Sequence, residues 1–334
     1  MLSLIFLSGL ILALAGTGIV IPWLRVRQIL DQPNQRSSHT QPTIKGAGLA
    51  LVVSIIIMFF LIDLDLEPIN FPINRFMTSV LLVALVILAL ISWLDDLYGL
   101  PVLLRLFIHL IAIASVLFAN YEKLSALTTV VPGWAWFLFL LGLWSWFTNI
   151  FNFMDGIDGL SGVESVSICL GIIIVAAVTG WNQLGQDYAL ALAGISLGFL
   201  WWNWQPAKVF LGDVGSIPLG FLLGWLLLGL AFKGYYLQAI ILPLYYILDA
   251  TLTITIRLFY SRNIWESHRD HFYQRAVQGG LSHSKVSLTV AVLNSFLIGF
   301  SVLALYFPVL GLLASVIVVV LTLIYFGTRK PVRV

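Results

Sequence analysis

The sequence alternates long apolar stretches with short polar ones along its whole length. Eleven stretches are long enough to cross about 30 Å of hydrocarbon as helices. They lie near residues 3–24, 47–62, 76–94, 102–119, 133–150, 162–180, 188–202, 216–232, 236–257, 286–306 and 308–327. A helix in lipid satisfies its own backbone hydrogen bonds. The pattern therefore predicts an all-α, polytopic membrane bundle of about eleven transmembrane helices.

Composition agrees with this interpretation. Of 334 residues, 60% are hydrophobic, and the mean hydropathy of +1.01 excludes an ordinary soluble domain. The polar stretches are too short for a separate soluble domain, so we expect one domain over residues 1–334. The first positive charges, Arg25 and Arg27, follow the first apolar stretch, whereas a signal peptide carries its charge before it. We therefore expect this stretch to remain as a span.

The Lys and Arg residues predict the orientation. With the N-terminus outside and the C-terminus inside, fourteen of the seventeen fall on inner segments, leaving only Arg75, Lys123 and Lys233 outside. Cytoplasmic loops carry such an excess of positive charge. The predicted cytoplasmic loops lie near residues 25–46, 95–101, 150–161, 203–215 and 258–285. Every motif with candidate chemistry then faces the cytoplasm.

Two adjacent carboxylates, Asp95 and Asp96, end the third span. Neighbouring residues on a helix point about 100° apart, so we expect the two to have different roles. One would bind Mg²⁺ and the other would act as a base or orient a ligand. A solvated helix end is a weaker explanation, because helix C-termini disfavour negative charge. Which of the two binds metal is left open.

A second cluster places Asn149, Asn152, Asp155 and Asp158 at intervals of three residues. This spacing puts them on one face of a helix. Capping explains such residues singly, but not four in ten positions. We predict that all four bind substrate, next to glycines that permit close approach of a ligand.

A third carboxylate, Asp213, lies between glycines and leads into the next span, after Asn203 and Lys208. A carboxylate near a helix start suits a metal or phosphate site. We predict Asp95, Asp96 and Asp213 to be catalytic, with Asp213 and Asp96 as metal ligands. Asn203 and Lys208 are predicted to bind substrate, although Lys208 also fits an ordinary inner-face charge.

The longest polar loop contains His268, Arg269, His271 and Arg275. If this segment is helical, His268, His271 and Arg275 share one face. Imidazoles and guanidinium groups suit a pyrophosphate or nucleotide substrate. We assign these four residues, with Lys45 of the first inner loop, to substrate binding. His109 is interpreted as structural, and Asp249 as a buried partner or a further member of the site.

These motifs in this order resemble the polyprenyl-phosphate N-acetylhexosamine-1-phosphate transferases, glycosyltransferase family 4. The resemblance runs from about residue 31 to 276 and rests most on NFMDGIDGL (152–160) and PAKVFLGDVGS (206–216). The segment 268–275 and PNQRSSH (33–39) resemble the branch that initiates O-antigen or capsule repeats. The consecutive histidine triplet of the peptidoglycan enzymes is absent.

The resemblance implies transfer of a sugar-1-phosphate from a UDP-N-acetylhexosamine to undecaprenyl phosphate, with release of UMP. It also implies a requirement for Mg²⁺, which Mn²⁺ could replace, and a location in the bacterial cytoplasmic membrane. Such chemistry needs a pyrophosphate clamp and a metal to offset charge when two anions meet. The expected partners are both substrates and the lipid bilayer, with no nucleic acid. A homodimer is left open.

Two alternatives stand beside this hypothesis. Within the family, the enzyme could be specific for UDP-GlcNAc and serve wall polymers, since N-acetylhexosamines differ by one hydroxyl or its orientation. From another class, a secondary transporter also has ten or more spans. Its key residues would cluster near the bilayer midplane, often in paired broken helices. The carboxylates of this sequence lie at the ends of spans instead.

Overall fold

A computed structural model describes residues 2–33, 41–65, 75–121, 131–180, 185–263 and 268–329. All of the PNQRSSH motif except Pro33 lies outside these residues. The helices are α1 Leu2–Val26, α2 Gly48–Asp65, α3 Arg75–Tyr98, α4 Val102–Ala119, α5 Gly133–Phe153, α6 Leu160–Thr179, α7 Gly185–Asn203, α8 Asp213–Phe232, α9 Tyr236–Ile241, α10 Leu244–Phe259, α11 Phe272–Gln278, α12 His283–Tyr306 and α13 Pro308–Gly327.

The all-α, polytopic membrane fold is confirmed. Within the described residues, eight helices are long and apolar enough to cross a membrane, and α2 is a shorter apolar helix. Each of the eleven predicted stretches contains a helix, but the ninth is divided between α9 and α10 at Leu242 and Pro243. Proline has no N–H to continue a helix. The number of spans and their orientation stay predictions.

A small three-stranded sheet joins two loops that are far apart in the sequence. Its strands are β1 Leu30–Asp31, β2 Thr43–Lys45 and β3 Val209–Phe210. β2 pairs antiparallel with β1 and parallel with β3, with Lys45 opposite Phe210. The sheet was not predicted. It brings the first inner loop next to the segment that leads into Asp213.

Helix α8, which begins with Asp213, lies at the centre of the bundle and packs against α2, α3 and α5. Elsewhere, glycines allow close helix contacts. A Cβ atom at Gly194 of α7 would lie 2.1 Å from the Phe6 carbonyl oxygen of α1, and one at Gly198 would lie 2.4 Å from that of Leu10. Small residues of this kind are typical of helix contacts in membranes.

The predicted orientation can be tested with two lysines at opposite ends of the bundle. Lys285 and Lys233 are both exposed, whereas the single native cysteine, Cys169, is buried. In intact cells, an impermeant maleimide should label Lys233→Cys and leave Lys285→Cys unlabelled until the membrane is permeabilised. Labelling of Lys285→Cys in intact cells would show that the predicted orientation is wrong and that this end of the bundle faces outside. The Ser282 hydroxyl caps α12 by accepting the backbone N–H of Lys285, so replacement of the Lys285 side chain leaves this cap in place.

Candidate active site

Asp96 fixes the start of helix α8. Its Oδ1 lies 2.6 Å from Lys45 Nζ, and its carboxylate accepts the backbone N–H groups of Asp213 at 3.2 Å and Val214 at 3.0 Å. A carboxylate is favoured at a helix N-terminus because of the helix dipole. The Asp96 side chain is 1% exposed. Its oxygens are therefore occupied by protein partners.

The approach of Asp96 to α8 requires glycine at position 212. Gly212 has a φ of 73°, in the left-handed region that favours glycine. A Cβ atom there would also lie 2.8 Å from Asp96 Oδ2. Burial lowers the pKa of Lys45, but the carboxylates of Asp96 and Asp213 more than offset this, so the pKa lies above its ordinary value. Lys45 is therefore positively charged at neutral pH.

Asp95 and Asp213 share one cation. The same guanidinium nitrogen of Arg105, at the start of α4, contacts the Asp95 carboxylate and lies 3.3 Å from Asp213 Oδ2. Asn152, at the end of α5, donates to Asp213 Oδ1 at 3.0 Å. As their angular offset predicts, Asp95 and Asp96 therefore contact different partners. The end of the bundle thus gathers residues from α3, α4, α5, α8 and β2.

This cluster opens into a cavity of about 390 Å³. Its charged end is formed by Asp95, Arg105, Asn152 and Asp213. Asn149 also lines it, and its amide donates to the Ser145 carbonyl at 2.8 Å. Apolar side chains also line the cavity, among them Val102, Leu106, Ile217 and Ile254. The cavity therefore combines a charged end with a hydrocarbon-like wall.

The positions of the Asp95 and Asp213 carboxylates suit the binding of a divalent cation between them. Within the described residues, no three His, Cys, Asp or Glu side chains are grouped to hold a metal ion. Mg²⁺ is nevertheless often bound through one or two carboxylates and completed by substrate phosphates and water. Asp95 and Asp213, which already share the charge of Arg105, fit this arrangement. Asp96 fits less well, because Lys45 and two N–H groups occupy its oxygens.

The Asp155 and Asp158 side chains lie in different surroundings. Burial raises the pKa of Asp155 to about 8, against the effect of a hydrogen bond with Ser161, so it is largely neutral at pH 7. Asp158 Oδ1 lies 3.0 Å from His283 Nδ1, and its Oδ2 accepts the Ala207 N–H at 3.1 Å. Asp158 therefore connects the start of α12 to the loop after α7. Substrate binding by either carboxylate stays a prediction.

Asn203 ends α7, and Lys208 lies in the loop that follows it. Asn203 accepts the Gly159 N–H at 2.9 Å and donates to the Val209 carbonyl at 3.0 Å, so it joins the two glycine-rich motifs. Lys208 is exposed, and its Nζ lies 5.0 Å from the centre of the Trp202 ring. Substrate binding by both residues stays a prediction.

The segment 268–275 is held in place by Asp249. This buried carboxylate lies 3.2 Å from His271 Nδ1 and accepts the backbone N–H groups of Phe272 at 3.0 Å and Tyr273 at 3.1 Å. It is thus a buried partner, one of the two roles left open by the sequence. Helix α11 begins only at Phe272, so the proposed helical face shared by His268, His271 and Arg275 is not formed.

The two imidazoles are nevertheless adjacent. The rings of His268 and His271 stack with centroids 5.0 Å apart. Burial, together with the neighbouring His271 and Arg257, lowers the pKa of His268 to about 4, so its imidazole is neutral at pH 7. Arg275 lies over the Phe272 ring at 5.3 Å, and the Arg269 carbonyl accepts from Gln278 at 2.7 Å. Substrate binding by these residues stays a prediction.

Arg105 is the main site residue that sequence reasoning did not single out. It had been counted only as an inner charge, although it lies in an apolar helix ten residues after Asp95. A lone cation at the start of a transmembrane span was the available signal. His283, which contacts Asp158, had no such signal, because nothing local indicates a partner 125 residues away.

Gly156 provides a local test of the contact between the Asp155 loop and α11. The Tyr273 hydroxyl donates to the Phe153 carbonyl at 3.0 Å, and a Cβ atom at Gly156 would lie 2.2 Å from that hydroxyl but 3.1 Å from Cζ. Gly156→Ala should destabilise the protein by about 1–3 kcal/mol through overpacking. Gly156→Ala/Tyr273→Phe should recover part of this loss.

Thermal unfolding of the four proteins in the Gly156–Tyr273 mutant cycle measures this coupling. Tyr273→Phe alone serves as the control, because it removes the same hydroxyl without adding a methyl group. Additive effects of the two substitutions would show that the methyl group and the hydroxyl do not collide.

The fold and the site together define a polytopic helical membrane protein with carboxylates and cations gathered at one end of the bundle. The model of Glycosyl transferase family 4 matches residues 77–231. The "Probable undecaprenyl-phosphate N-acetylglucosaminyl 1-phosphate transferase" of Bacillus subtilis (strain 168) is 31% identical, over 83% of this chain and 77% of the relative. The chain therefore belongs to glycosyl transferase family 4, among the polyprenyl-phosphate hexosamine-phosphate transferases.

Two further relatives extend the comparison. The "Decaprenyl-phosphate N-acetylglucosaminephosphotransferase" of Mycolicibacterium smegmatis (strain ATCC 700084 / mc(2)155) is 28% identical, over 99% of this chain and 90% of the relative. The "Phospho-N-acetylmuramoyl-pentapeptide-transferase" of Bacillus subtilis (strain 168) is 31% identical, over 64% of this chain and 70% of the relative. The family inferred from the two motifs is thus confirmed.

Proposed function

We propose that this protein transfers GlcNAc-1-phosphate from UDP-GlcNAc to a polyprenyl phosphate and releases UMP. The observation that carries the proposal is the cavity at the carboxylate cluster, which is charged at one end and apolar along its wall. Such a cavity suits an acceptor with a phosphate head and a hydrocarbon tail. The charged cluster, on helix ends, is accessible to a water-soluble nucleotide-sugar.

The donor assignment follows the names of the relatives. Two relatives that align with most of this chain are named for N-acetylglucosamine and a polyprenyl phosphate. They favour the alternative of a GlcNAc enzyme for wall polymers over the O-antigen or capsule branch suggested by residues 33–39 and 268–275. We therefore propose UDP-GlcNAc as the donor, a bacterial cytoplasmic membrane as the location and the cytoplasm as the side of the active site.

We propose that Asp95 and Asp213 hold Mg²⁺, which supplies positive charge to the pyrophosphate when it is bound. Arg105 supplies further positive charge at the same end of the cavity, and Lys45 adds positive charge through its contact with the adjacent Asp96. Asp155, being largely neutral at pH 7, both donates and accepts hydrogen bonds without adding negative charge beside a pyrophosphate. We assign Asp155, His268, His271 and Arg275 to the nucleotide-sugar.

The transfer is a direct displacement. A polyprenyl phosphate is largely a dianion at neutral pH, since the second ionisation of a phosphomonoester lies near pH 6. Its oxygen forms a new bond to the sugar-bearing phosphorus, and the bond from that phosphorus to the bridging oxygen breaks as UMP leaves. The acceptor therefore needs no activating base. A covalent phospho-enzyme is unnecessary.

Release of UMP tests the proposal. Purified protein with Mg²⁺, UDP-GlcNAc and undecaprenyl phosphate should release UMP and form the lipid-linked sugar, whereas omission of the lipid should abolish release. UDP-GalNAc offered instead of UDP-GlcNAc tests the donor. If no UMP is released with any UDP-sugar, the proposed transferase activity is refuted. A stoichiometric release without lipid, with labelled sugar-phosphate retained on a carboxylate, would replace direct displacement by a two-step reaction.

A further inference from the structure

A layer of polar side chains lines the active-site cavity, one to two helical turns deeper in the bundle than the charged cluster. Ser92 shares a helix face with Asp95 on α3, and His109 shares one with Arg105 on α4. Ser145 shares a face with Asn149 on α5, which itself lies three residues before Asn152 of the charged end. All of these residues line the same cavity. One helical turn is about 5.4 Å, comparable to the size of a phosphate group.

Each residue of this inner layer, which comprises Ser92, His109 and Ser145, has a side-chain polar atom without a hydrogen-bond partner in the described part of the chain. The three residues are 2%, 4% and 5% exposed, respectively. Yet neither serine hydroxyl makes a hydrogen bond, and Nδ1 of His109 and Nε of Arg105 are also unpaired. Buried polar groups normally have partners, since an unpaired one destabilises the fold. Four such atoms belong to residues that line one cavity, which indicates a ligand that supplies the partners.

The chemistry of the four atoms defines the class of ligand. A hydroxyl, a guanidinium N–H and an imidazole N–H all donate hydrogen bonds, so the ligand presents several acceptor oxygens. Arg105 adds positive charge, which favours an anion. Beside this layer the wall is apolar at Leu106, Ile217 and Ile254. These side chains suit a hydrocarbon chain and would gain nothing from free inorganic phosphate.

We propose that Ser92, His109 and Ser145 bind the phosphate of the lipid acceptor and so determine acceptor specificity. The inference rests on the proposed function and deepens it. It places the acceptor phosphate on the membrane side of Asp95 and Asp213, so the nucleotide-sugar occupies the cytoplasmic side. The two substrates then meet at the carboxylates from opposite directions, as an in-line displacement requires.

Kinetics of a Ser92→Ala/Ser145→Ala variant test this role. The KM for polyprenyl phosphate should rise about tenfold or more, because two hydrogen bonds to a charged ligand are lost. The kcat and the KM for UDP-GlcNAc should change by less than about twofold, as expected for loss of uniform binding. His109→Leu should behave likewise, and His109→Gln, which retains a donor, should recover part of the affinity.

The matched control is Ser54→Ala. Ser54 is a buried serine of α2 whose hydroxyl already donates to the Ala50 carbonyl at 2.8 Å. The Ser54→Ala substitution should leave the KM for polyprenyl phosphate unchanged. An unchanged acceptor KM in the Ser92→Ala/Ser145→Ala variant, or an equal rise in Ser54→Ala, would overturn the proposal.

Thermal unfolding in detergent measures acceptor binding without turnover. Heptaprenyl phosphate should raise the Tm of the native protein, whereas heptaprenol and inorganic phosphate should not. Ser92→Ala/Ser145→Ala should lose this shift, and its Tm without ligand should equal or exceed that of the native protein because two unpaired donors are gone.

Three results of the unfolding experiment would overturn the inference. They are the absence of a shift with heptaprenyl phosphate, an equal shift in the double variant, and an equal shift with heptaprenol or inorganic phosphate. Because no nucleotide-sugar is present, these results are independent of the UMP assay. The native protein could bind heptaprenyl phosphate through Ser92 and Ser145 and yet release no UMP. This result would refute the proposed transferase activity but support the proposed lipid-phosphate site.

Discussion

Replacement of Asp213 by asparagine should lower the rate of UMP release by roughly a thousandfold, the scale observed when a group that stabilises transition-state charge is removed. Asp213 lies at the centre of the site, where it contacts Arg105 and Asn152 and begins α8. Asparagine preserves the shape of the side chain and an oxygen for Asn152. It removes the negative charge that would hold a divalent cation, so turnover should fall while the fold remains intact.

The Asp213→Asn measurement combines UMP release over a range of Mg²⁺ concentrations with thermal unfolding. The matched control is Asp63→Asn on α2, a carboxylate remote from the site that accepts the Thr78 hydroxyl at 3.2 Å. This control should retain near-native turnover. Near-native turnover of Asp213→Asn at limiting Mg²⁺ would remove Asp213 from the metal site.

Replacement of the adjacent Asp95 and Asp96 by asparagine should separate their roles. Asp96→Asn should destabilise the protein by about 3 kcal/mol or more, the usual result of breaking a buried ion pair. Its amide would place two new donors among Lys45 Nζ and two backbone N–H groups. Asp95→Asn should lower the free energy of unfolding by about 1 kcal/mol or less. Arg105 would still have the Asp213 carboxylate as an ion-pair partner, and its guanidinium is partly exposed to solvent. Asp95→Asn should still lower turnover strongly.

Thermal unfolding beside UMP release distinguishes the two variants, and Lys45→Met/Asp96→Asn provides a control. If the stability loss of Asp96→Asn comes from an unpaired Lys45 charge, removal of that charge should restore part of the stability without restoring turnover. Equal stability of Asp95→Asn and Asp96→Asn would contradict the division into a ligand-facing carboxylate and a structural one.

Together these results would explain why two adjacent carboxylates end α3. Asp96 orients the first turn of α8, and this turn carries Asp213. Asp95 faces the cavity with Asp213. One helix end thus supplies both a residue for the ligand and the contact that positions its partner carboxylate.

The all-α membrane fold could be predicted from the sequence, because the length of an apolar stretch is a local property that lipid enforces on each span separately. The sequence also indicated the family, since NFMDGIDGL and PAKVFLGDVGS are contiguous motifs. The two motifs contain Asn152 and Asp213, which lie 3.0 Å apart in the structure. Adjacency of Asp95 and Asp96 was sufficient to predict different partners, because the helix fixes the angle between them.

The identity of these partners depends on how the helices pack and could not be predicted from the sequence. Arg105 lies 108 residues from Asp213, and Asp96 lies 117 residues from the N–H group that it accepts there. Asp158 and His271 proved to be engaged by His283 and Asp249, respectively. A charged side chain in a membrane bundle is stable only with a partner. Such partners come from other helices, and packing brings them together regardless of their separation in the sequence.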